Sequence, residues 1–520
     1  MSAVEKTVPT VDANNGGSGT SSLVKESYGH VDERKILDLA LQRRTWWKVD
    51  LHIMTVAVLL YLASYIDRTN IGNARVLGMQ AELHLTSGQY NWALSVFFIG
   101  YVLFETPSNI ILKRLRPRIY IPFLTIAWGV VCCLVSVVQS AAGLQAIRFF
   151  LGIAEAGFLP GIIYWARASQ FFSSFFSFLP LMRCLIQVGT WYPRHLQGRR
   201  FSVLYSSVSL TGAFGGLLAT GIHALDGAHG IAGWRWIFII EGVITIGFGL
   251  LSFIFMSDYP DTAPWLTPSE KDMINSANEA DRALKASEQF DKKQILSAFT
   301  DYRTYLWGIV YLATYIPVYA VILSLPSVVA GLGYKGTNAT LMACPPYGFG
   351  FILVLATGYT SDRVGDRFWH WLGGVVTAMV ALIVLMTVAN NIVRYAMFFL
   401  MMAMFVPISQ AWSWLANNVA GTNKRAAATG VVFSMGNIGG AVAGQIYRQE
   451  WAPRYVQGHA VCLGCYVLAL FACTLLRWTY IRDNRLRDEA AAARRETKQD
   501  MLGDDLGDLG DRHPNFRYYV

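Results

Sequence analysis

The feature that most constrains this chain is a series of long apolar runs that begins at Val49 and continues almost to its end. Each run is long enough to cross the roughly 30 Å hydrocarbon core of a bilayer as a helix. Of all residues, 15% are charged, whereas an ordinary soluble domain carries about 25%. The pattern predicts an all-α polytopic membrane protein with twelve transmembrane helices. The predicted spans cover residues 49–74, 87–112, 118–139, 143–165, 201–223, 235–256, 304–328, 339–361, 369–389, 395–418, 427–446 and 458–481.

A charged hydrophilic stretch divides these spans into two pseudo-symmetric halves of six helices each. Two such halves, repeated about an axis along the membrane normal, are a known plan for transporters, with the binding site between them near the midplane. The predicted segments are a disordered tail with a basic amphipathic end (1–45), the first half (46–256), a central loop (257–303), the second half (304–482) and a polar tail (483–520).

Basic residues in the short connections predict the orientation, because cytoplasmic connections carry an excess of Lys and Arg. Connections on the side of the two tails hold eleven basic residues, and those on the other side hold five. The first group is Lys113, Arg114, Arg116, Arg118, Arg194, Arg199, Arg200, Arg363, Arg367, Lys424 and Arg425, and the second is Arg75, Lys335, Arg394, Arg448 and Arg454. We therefore expect a multi-pass protein whose termini and central loop are cytoplasmic. As a separate expectation, we assign it to the plasma membrane.

Four charged residues interrupt the apolar spans of the first half. Arg148 and Glu155 are seven residues apart in the fourth span, a spacing that returns to the same helix face after two turns. Asp67 and Arg68 are neighbours in the first span, so one can face a cavity while the other reaches an adjacent helix. A charge at bilayer depth costs roughly 2.5–3.5 kcal/mol and normally marks an ion or substrate path. The alternatives are a buried structural ion pair in the fourth span and a cap at the outer end of the first.

Several motifs carry a family resemblance. A GxxxDRxGxR pattern at Gly358, Asp362, Arg363, Gly365 and Arg367 resembles the loop motif of the major facilitator superfamily. Three stretches resemble its anion:cation symporter branch, namely YIDRTNIGNA (65–74), RFFLGIAEAGFLPG (148–161) and GWRWIFIIEGVIT (233–245). The wording NIGNARVLGM, followed by FETPSNIILKRLRPR, is most similar to the fungal allantoate and nicotinate permeases. The resemblance covers about residues 45–485. It implies the major facilitator fold and proton-coupled uptake of a small organic anion such as nicotinate, allantoate or a related carboxylate.

The resemblance also implies roles for the four charged residues. Arg68 and Arg148 would bind the substrate anion, and Asp67 and Glu155 would couple its transport to protons. With all four groups ionised their charges sum to zero, whereas protonation of Glu155 or Asp67 leaves a net positive pocket that accepts a carboxylate. Substrate and proton would then favour each other's binding, as symport requires.

The loop motif predicts a cytoplasmic gating latch formed by Asp362, Arg363 and Arg367. The first half departs from this motif, since Glu105 and Asn109 stand where a DR pair is expected. This departure weakens the case for a symmetric latch in the two halves.

Polar residues elsewhere in the spans are further candidates for substrate contacts. They are Asn70, Tyr315, Tyr319 and Asn437, together with Asn73, Gln410, Asn417 and Asn418. Side chains of this kind also hydrogen-bond one helix to another, so both interpretations stay open. Glycines in the fifth and eleventh spans indicate close helix packing.

An anomalous insert at residues 166–189, rich in Phe and Ser, does not fit the count of twelve spans. A thirteenth span would invert every later connection, against the distribution of basic residues. Removal of residues 166–187 restores the family spacing as GIIYWVGTWYPRH. We interpret these residues as a retained intron in the gene prediction, and the alternative is a hairpin on the membrane surface.

The sequence argues against an enzyme, because no nucleophile–base set, metal-ligand spacing or phosphate loop stands out in its loops. We expect a monomer with no cofactor, no metal and no nucleic-acid partner, whose partners are a small organic anion, protons and the lipid bilayer. An exporter or facilitator of another small molecule and a non-transporting nutrient sensor are the alternative functions.

Overall fold

The computed structural model describes residues 41–114, 117–156, 191–192, 194–257, 260–286, 292–419, 422–496 and 516–520. These residues are helical apart from connecting turns, and no strand occurs among them. Within this part of the chain, nine helical stretches combine the length and the hydropathy needed to cross a bilayer, and the shorter Ala427–Ala443 is also apolar. The prediction of an all-α membrane protein is confirmed.

The first half contains six helices that coincide with the first six predicted spans. Helix α1 (Thr55–Ala74) belongs to a longer helical stretch, Leu41–Glu82, which bends at Gly78, where φ is +109°. Ser140 is the N-cap of helix α4 (Ala141–Glu155), and its side chain accepts a hydrogen bond from the backbone N–H of Gly143. The other helices are α2 (Ser87–Arg114), α3 (Pro117–Leu134), α4 (Ala141–Glu155), α5 (Arg194–His223) and α6 (Gly233–Phe255).

The second half follows two short helices of the central loop, α7 (Pro268–Ala286) and α8 (Lys292–Thr300). Its spans are α9 (Tyr302–Ala330), α10 (Thr337–Val364), α11 (Phe368–Thr387), the pair α12 (Asn391–Met401) and α13 (Phe405–Asn418), α14 (Thr422–Ala443) and α15 (Val456–Glu496). The 3₁₀ turn Met402–Met404 joins α12 to α13. Helix α15 continues past the boundary predicted at residue 482, as far as Glu496, and its charged final turns are exposed.

Helix pairings repeat between the halves. In the first half α1 packs on α5, α2 on α4 and α3 on α6. In the second half α9 packs on α14, α10 on α13 and α11 on α15, which pairs the equivalent spans in the same order. Across the boundary, α2 packs on α14 and α10 packs on α5, and these contacts are equivalent too. The predicted pseudo-symmetry of two six-helix halves is therefore present.

Hydrogen bonds between the halves gather on one side of the membrane. We call the side at which α1 begins the terminal side and the opposite side the far side. At the far side, Arg75 Nη2 donates to Gln449 Oε1 at 2.9 Å, and Ser95 Oγ donates to the carbonyl oxygen of Ala441 at 2.7 Å. A Cβ atom on Gly444 would lie 2.8 Å from Ser95 Oγ, so glycine permits this approach. The two halves are thus held together at the far side.

The interface of α5 with α10 also depends on glycine. A Cβ atom on Gly212 would lie 2.5 Å from ring carbons of Tyr347, so the two helices approach closely. Nearer the terminal side, the rings of Tyr205 in α5 and Trp412 in α13 are in contact, with centroids 5.2 Å apart. The close packing expected of the glycines is confirmed at both interfaces.

The segment Phe516–Val520 docks on the terminal side of the second half. Asn418 Oδ1 accepts from the N–H of Tyr519 at 2.6 Å, and Asn418 Nδ2 donates to the carbonyl oxygen of Tyr519 at 2.9 Å. The ring of Tyr518 stacks on that of Tyr480, with centroids 4.6 Å apart. Asn418, a candidate for substrate contact from its sequence position, anchors this segment, and its contact with substrate stays a prediction.

Two predicted segments lie outside the described residues. The tail predicted to be disordered is described only from residue 41 onward, and the insert at 166–189 falls in the gap between residues 156 and 191. The interpretation of residues 166–187 as a retained intron stays a prediction.

Candidate functional site

Arg68 and Glu155 form a buried ion pair between α1 and α4. Glu155 Oε1 accepts a hydrogen bond from Arg68 Nε at 2.8 Å and lies 2.7 Å from Arg68 Nη2. The hydroxyl of Ser64, one turn before Arg68, donates to the same oxygen. Arg148 and Glu155 are both buried, as their spacing predicts, and Glu155 is 1% exposed. Their alternative interpretation as an ion pair with each other is wrong, because the partner of Glu155 comes from α1.

Arg148 is a second buried cation, and it is not paired in this way. It is 0% exposed, and none of its three guanidinium nitrogen atoms makes a hydrogen bond with another described residue. Its guanidinium carbon lies 4.8 Å from the ring centroid of Phe97 in α2. Such a cation–π contact contributes about 0.5–2 kcal/mol, whereas an unpaired ion in a protein interior costs several kcal/mol. The position therefore suits an anionic ligand.

The ring of Phe97 joins the two arginines. The guanidinium carbon of Arg68 lies 5.5 Å from the same ring centroid, 4.9 Å from that of Tyr65 and 5.0 Å from that of Tyr101. Two guanidinium groups, one bound to a carboxylate and one not, therefore border a single aromatic surface. The sequence argument missed these three aromatic residues, because aromatic side chains in apolar spans carry no distinguishing pattern.

Tyr315 and Tyr319 of α9 extend this aromatic surface into the second half. The ring of Tyr319 meets Phe98 of α2 with centroids 4.9 Å apart, and Tyr315 lies 5.5 Å from Tyr319. Both tyrosines are buried, and Tyr319 is near enough to Arg68 to interact with its charge. The two predicted residues therefore lie at the boundary between the halves, beside the Arg68–Glu155 pair.

Asp67 occupies a different face of α1 and is enclosed within the first half. Trp128 Nε1 donates to Asp67 Oδ2 at 2.8 Å, Thr245 Oγ1 lies 3.4 Å from the same oxygen, and the thiol of Cys132 lies 3.6 Å from Oδ1. Asp67 is 1% exposed, and α1 continues beyond it to Ala74. The alternative interpretation as an exposed cap at the end of the span is wrong.

Glu241 of α6 is a buried carboxylate that the sequence argument did not single out. It is 2% exposed, and Asn70 of α1 is a hydrogen-bonding neighbour of its carboxylate. It interacts electrostatically with Asp67, and Asn70 lies beside it. Asn70 Oδ1 accepts from Asn73 Nδ2 at 2.9 Å. Asn70 therefore belongs to the Asp67 side of α1 and not to the arginine side. The sequence does contain a signal that could have identified Glu241, namely a carboxylate in the middle of an otherwise apolar helix.

Glu105 and Asn437 link the two halves. The comparison of loop motifs set Glu105 in the connection after the second span, whereas the structure places it inside α2 and buried. Asn437 of α14 makes a side-chain hydrogen bond with it. Asn437 therefore contacts a carboxylate of the opposite half, close to the charge of Arg68.

The predicted gating residues lie at the terminal end of α10. Arg367 Nη1 donates to Ser361 Oγ at 3.0 Å and lies 3.5 Å from Gln410 Oε1 of α13. Arg363 is exposed, and the side chain of Asp362 lies outside the described part. The contacts of Arg367 tie the α10–α11 connection to α13, and the latch formed with Asp362 stays a prediction.

Disulfide bonds and metal-ligand clusters are two further kinds of site that the described residues could form. Six cysteines in this part of the chain are free thiols. Among the described residues, no group of three or more His, Cys, Asp or Glu side chains is arranged to hold a metal ion.

Comparison with known proteins relates the chain to one large family. The sequence profile of the Major Facilitator Superfamily matches residues 57–170 and 167–444. "MFS-type transporter cnsO" of Penicillium expansum is 31% identical over 531 residues, which cover 98% of each chain. "Uncharacterized transporter C1683.12" of Schizosaccharomyces pombe is 31% identical over 466 residues, 89% of this chain and 91% of that one. "Major facilitator-type transporter hxnP" of Emericella nidulans is 27% identical over 524 residues, 97% of this chain and 100% of that one.

Solved structures share the fold. A bacterial homolog of the human lysosomal transporter Spinster, in an inward-facing and unoccupied conformation, matches with a TM-score of 0.59. The match covers 82% of this chain and 95% of that chain at 14% sequence identity.

Proposed function

The chain belongs to the major facilitator superfamily and is a membrane transporter, not an enzyme, and from this premise we propose that it takes up a small organic anion together with protons. The observation that carries the proposal is the pair of arginines at Phe97. Arg148 is buried without a hydrogen bond to any described residue, and Arg68 is bound by a carboxylate, Glu155, that can be neutralised by a proton.

The anion binds at Arg148 in this proposal. The planar guanidinium group offers two parallel N–H donors that match the two oxygen atoms of a carboxylate. The rings of Tyr65, Phe97 and Tyr101 supply apolar faces for the carbon skeleton of an organic acid. Tyr319 and Asn437 are the contacts that we propose from the second half, with Tyr315 behind Tyr319.

Protonation of Glu155 couples the proton to the substrate. While Glu155 is ionised, it neutralises Arg68, and Arg148 alone attracts the anion. When Glu155 takes up a proton, Arg68 loses its counter-ion and a second positive charge borders Phe97, so the affinity for a carboxylate rises. By linkage, a bound carboxylate that competes for Arg68 raises the proton affinity of Glu155 to the same extent. This reciprocity is what a symporter requires.

Alternating access opens and closes the two sides in turn. We propose that the terminal side is cytoplasmic, because its connections carry the excess of basic residues, and that the membrane is the plasma membrane. The far-side contacts of Arg75 with Gln449 and of Ser95 with Ala441 must then break to admit substrate from outside. Asp362, Arg363 and Arg367 form the cytoplasmic latch.

The resemblance of YIDRTNIGNA, RFFLGIAEAGFLPG and GWRWIFIIEGVIT to the anion:cation symporter branch supports the same substrate class. Within that class we propose a carboxylate such as nicotinate, allantoate or a related acid. An exporter or facilitator is the alternative, and it predicts no accumulation against a gradient.

The test is uptake of labelled nicotinate, allantoate and related carboxylates by cells that express wild type, Glu155→Gln or Glu450→Gln. We expect Glu155→Gln to lose accumulation driven by a pH gradient while it retains exchange of internal for external substrate. The control Glu450→Gln, at an exposed residue of the far side, should accumulate substrate like the wild type. Undiminished uphill uptake by Glu155→Gln would remove Glu155 from the coupling step.

A further inference from the structure

A continuous series of aromatic rings leads from the two arginines toward the terminal side. Each ring contacts the next, with centroids 4.9–5.7 Å apart. In order, they are the rings of Phe97, Phe98, Tyr319, Tyr315, Tyr311, Phe433, Trp412 and Tyr205. Helix α9 begins at the terminal side, because six spans precede it. Its three tyrosines follow one another at one-turn spacing and therefore carry the series about 12 Å toward that side.

Trp412 joins the two halves at the terminal end of this series. Its ring, on α13, contacts Phe433 of α14 at 5.0 Å and Tyr205 of α5, in the first half, at 5.2 Å between centroids. Trp412 is 9% exposed, and Tyr205 and Phe433 are each 4% exposed. Arg68 and Arg148 are buried as well. An anion that moves from the arginines to the terminal side along the boundary of the halves therefore has to displace these rings.

The indole N–H of Trp412 has no hydrogen-bond acceptor among the described residues. A buried indole usually finds an acceptor, and a buried donor without one costs free energy. In the part of the chain that the structure describes, packing with Tyr205 and Phe433 holds the ring, and the N–H stays unsatisfied. A carboxylate that reaches this N–H removes the cost with a charge-assisted hydrogen bond.

We propose that Trp412 is a gate residue that also contacts the substrate: its ring closes the terminal side of the site, and its N–H donates to the anion as the anion passes. In the closed position the ring packs on Tyr205 and the N–H is unpaired. When the ring turns away from Tyr205, the path opens and a carboxylate oxygen supplies the missing acceptor. The anion therefore favours the open gate, and an empty site favours the closed one.

This inference deepens the proposed function, on which it rests for the nature of the anion but not for the position of the barrier. The far-side contacts of Arg75 and Ser95 close the opposite end of the boundary between the halves. The contact of Trp412 with Tyr205 closes the terminal end, so the buried arginines lie between two barriers. Trp412 thus determines access to the site from the terminal side.

The test of the barrier measures access to the site in the purified full-length protein in lipid nanodiscs, without substrate. A cysteine introduced by Tyr315→Cys, on the arginine side of the gate, reacts with a water-soluble thiol reagent, and the reaction of the native cysteines is subtracted. Trp412→Ala removes two ring contacts and should accelerate this reaction roughly tenfold. Tyr205→Ala, from the opposite half, should also accelerate it, whereas Trp412→Phe keeps a ring and should leave the rate close to that of the parent.

The test of the N–H measures exchange of labelled carboxylates, nicotinate first, by the same protein in proteoliposomes. Trp412→Phe removes one donor to an anion and should raise the KM from the terminal side roughly tenfold while the maximal rate stays unchanged. Trp371→Phe is the matched control, because Trp371 of α11 is 0% exposed and its indole N–H also lacks an acceptor among the described residues. It lies outside the ring series, so its KM should equal that of the wild type.

Unchanged labelling of the introduced cysteine in both Trp412→Ala and Tyr205→Ala would overturn the gate. An unchanged KM in Trp412→Phe, in a protein that exchanges a carboxylate, would overturn the contact of the N–H with the anion. Accelerated labelling in a protein that exchanges no carboxylate refutes the proposed function and leaves the gate standing. Carboxylate exchange with unaltered labelling does the reverse.

Discussion

Replacement of Arg148 by methionine should stabilise the folded protein, whereas the same replacement of Arg68 should destabilise it. Both guanidinium groups are buried in the first half and both border Phe97. Their partners differ, since Arg68 is bound to Glu155 and Arg148 makes no hydrogen bond to the described residues. An anion-binding residue without its anion is expected to have this property.

The magnitudes follow from the contacts. An arginine at bilayer depth costs roughly 2.5–3.5 kcal/mol, and the contact of Arg148 with Phe97 offsets about 0.5–2 kcal/mol of this cost. Arg148→Met should therefore gain about 0.5–3 kcal/mol of unfolding free energy in the absence of substrate. Arg68→Met leaves Glu155 buried without its partner, a change that costs about 3–5 kcal/mol.

The assay is equilibrium unfolding in lipid bicelles without substrate, followed by the reaction of buried thiols with a fluorescent dye. Cys132, Cys462 and Cys473 are fully buried and free, so they react when the helices separate. The two variants should move the unfolding free energy in opposite directions. Equal destabilisation by Arg148→Met and Arg68→Met would show that Arg148 is structurally satisfied, and the argument for an anion at this position would fail.

Three further predictions concern other parts of the molecule. Asn418→Ala removes two hydrogen bonds to Tyr519, each contributing about 1 kcal/mol. Hydrogen exchange at the Tyr519 amide should therefore accelerate. Unchanged protection of this amide against exchange would contradict the docking of the segment. Gly444→Val places carbon atoms where Ser95 Oγ lies and should hold the far side open. The measurement is the spin-label distance between the far-side ends of α2 and α14, which should lengthen. An unchanged distance would contradict this role. Sequencing of cDNA should yield a transcript that lacks the codons for residues 166–187, and a transcript that retains them defeats the intron interpretation.

The positions of the helices were predictable because the bilayer imposes a length and a composition on each span. All twelve predicted spans coincide with helices over the residues that the structure describes, which leave out residues 157–165 of the fourth span. The largest error in a helix end is at α15, where helix continues through charged residues. Propensity explains this error, since the sequence DEAAAARRE after residue 487 favours a helix but cannot enter a membrane.

The contents of the site were only partly predictable. A charged residue in an apolar span is visible in the sequence, so Asp67, Arg68, Arg148 and Glu155 were found. Their pairing was not, because it depends on the rotation and approach of α1 and α4, which brought Arg68 to Glu155 and left Arg148 without a hydrogen bond to any described residue.

Residues brought together by packing between distant helices escaped the sequence argument altogether. Glu241 lies beside Asn70 across α1 and α6, and Glu105 meets Asn437 across the two halves. The contact of Asn418 was equally unpredictable, since its polar side chain near the end of a span binds the segment Phe516–Val520. Polar residues in membrane helices take whichever partner the fold supplies, and helix periodicity alone does not identify that partner.

The most direct test of proton-coupled anion uptake is the accumulation of a labelled carboxylate at acid external pH, with and without a protonophore, in cells that express the form without residues 166–187. The account predicts that at least one acid of the panel accumulates above its equilibrium level and that the protonophore abolishes this accumulation. Entry that stops at equilibrium and is unaffected by the protonophore, with normal surface expression, would contradict it.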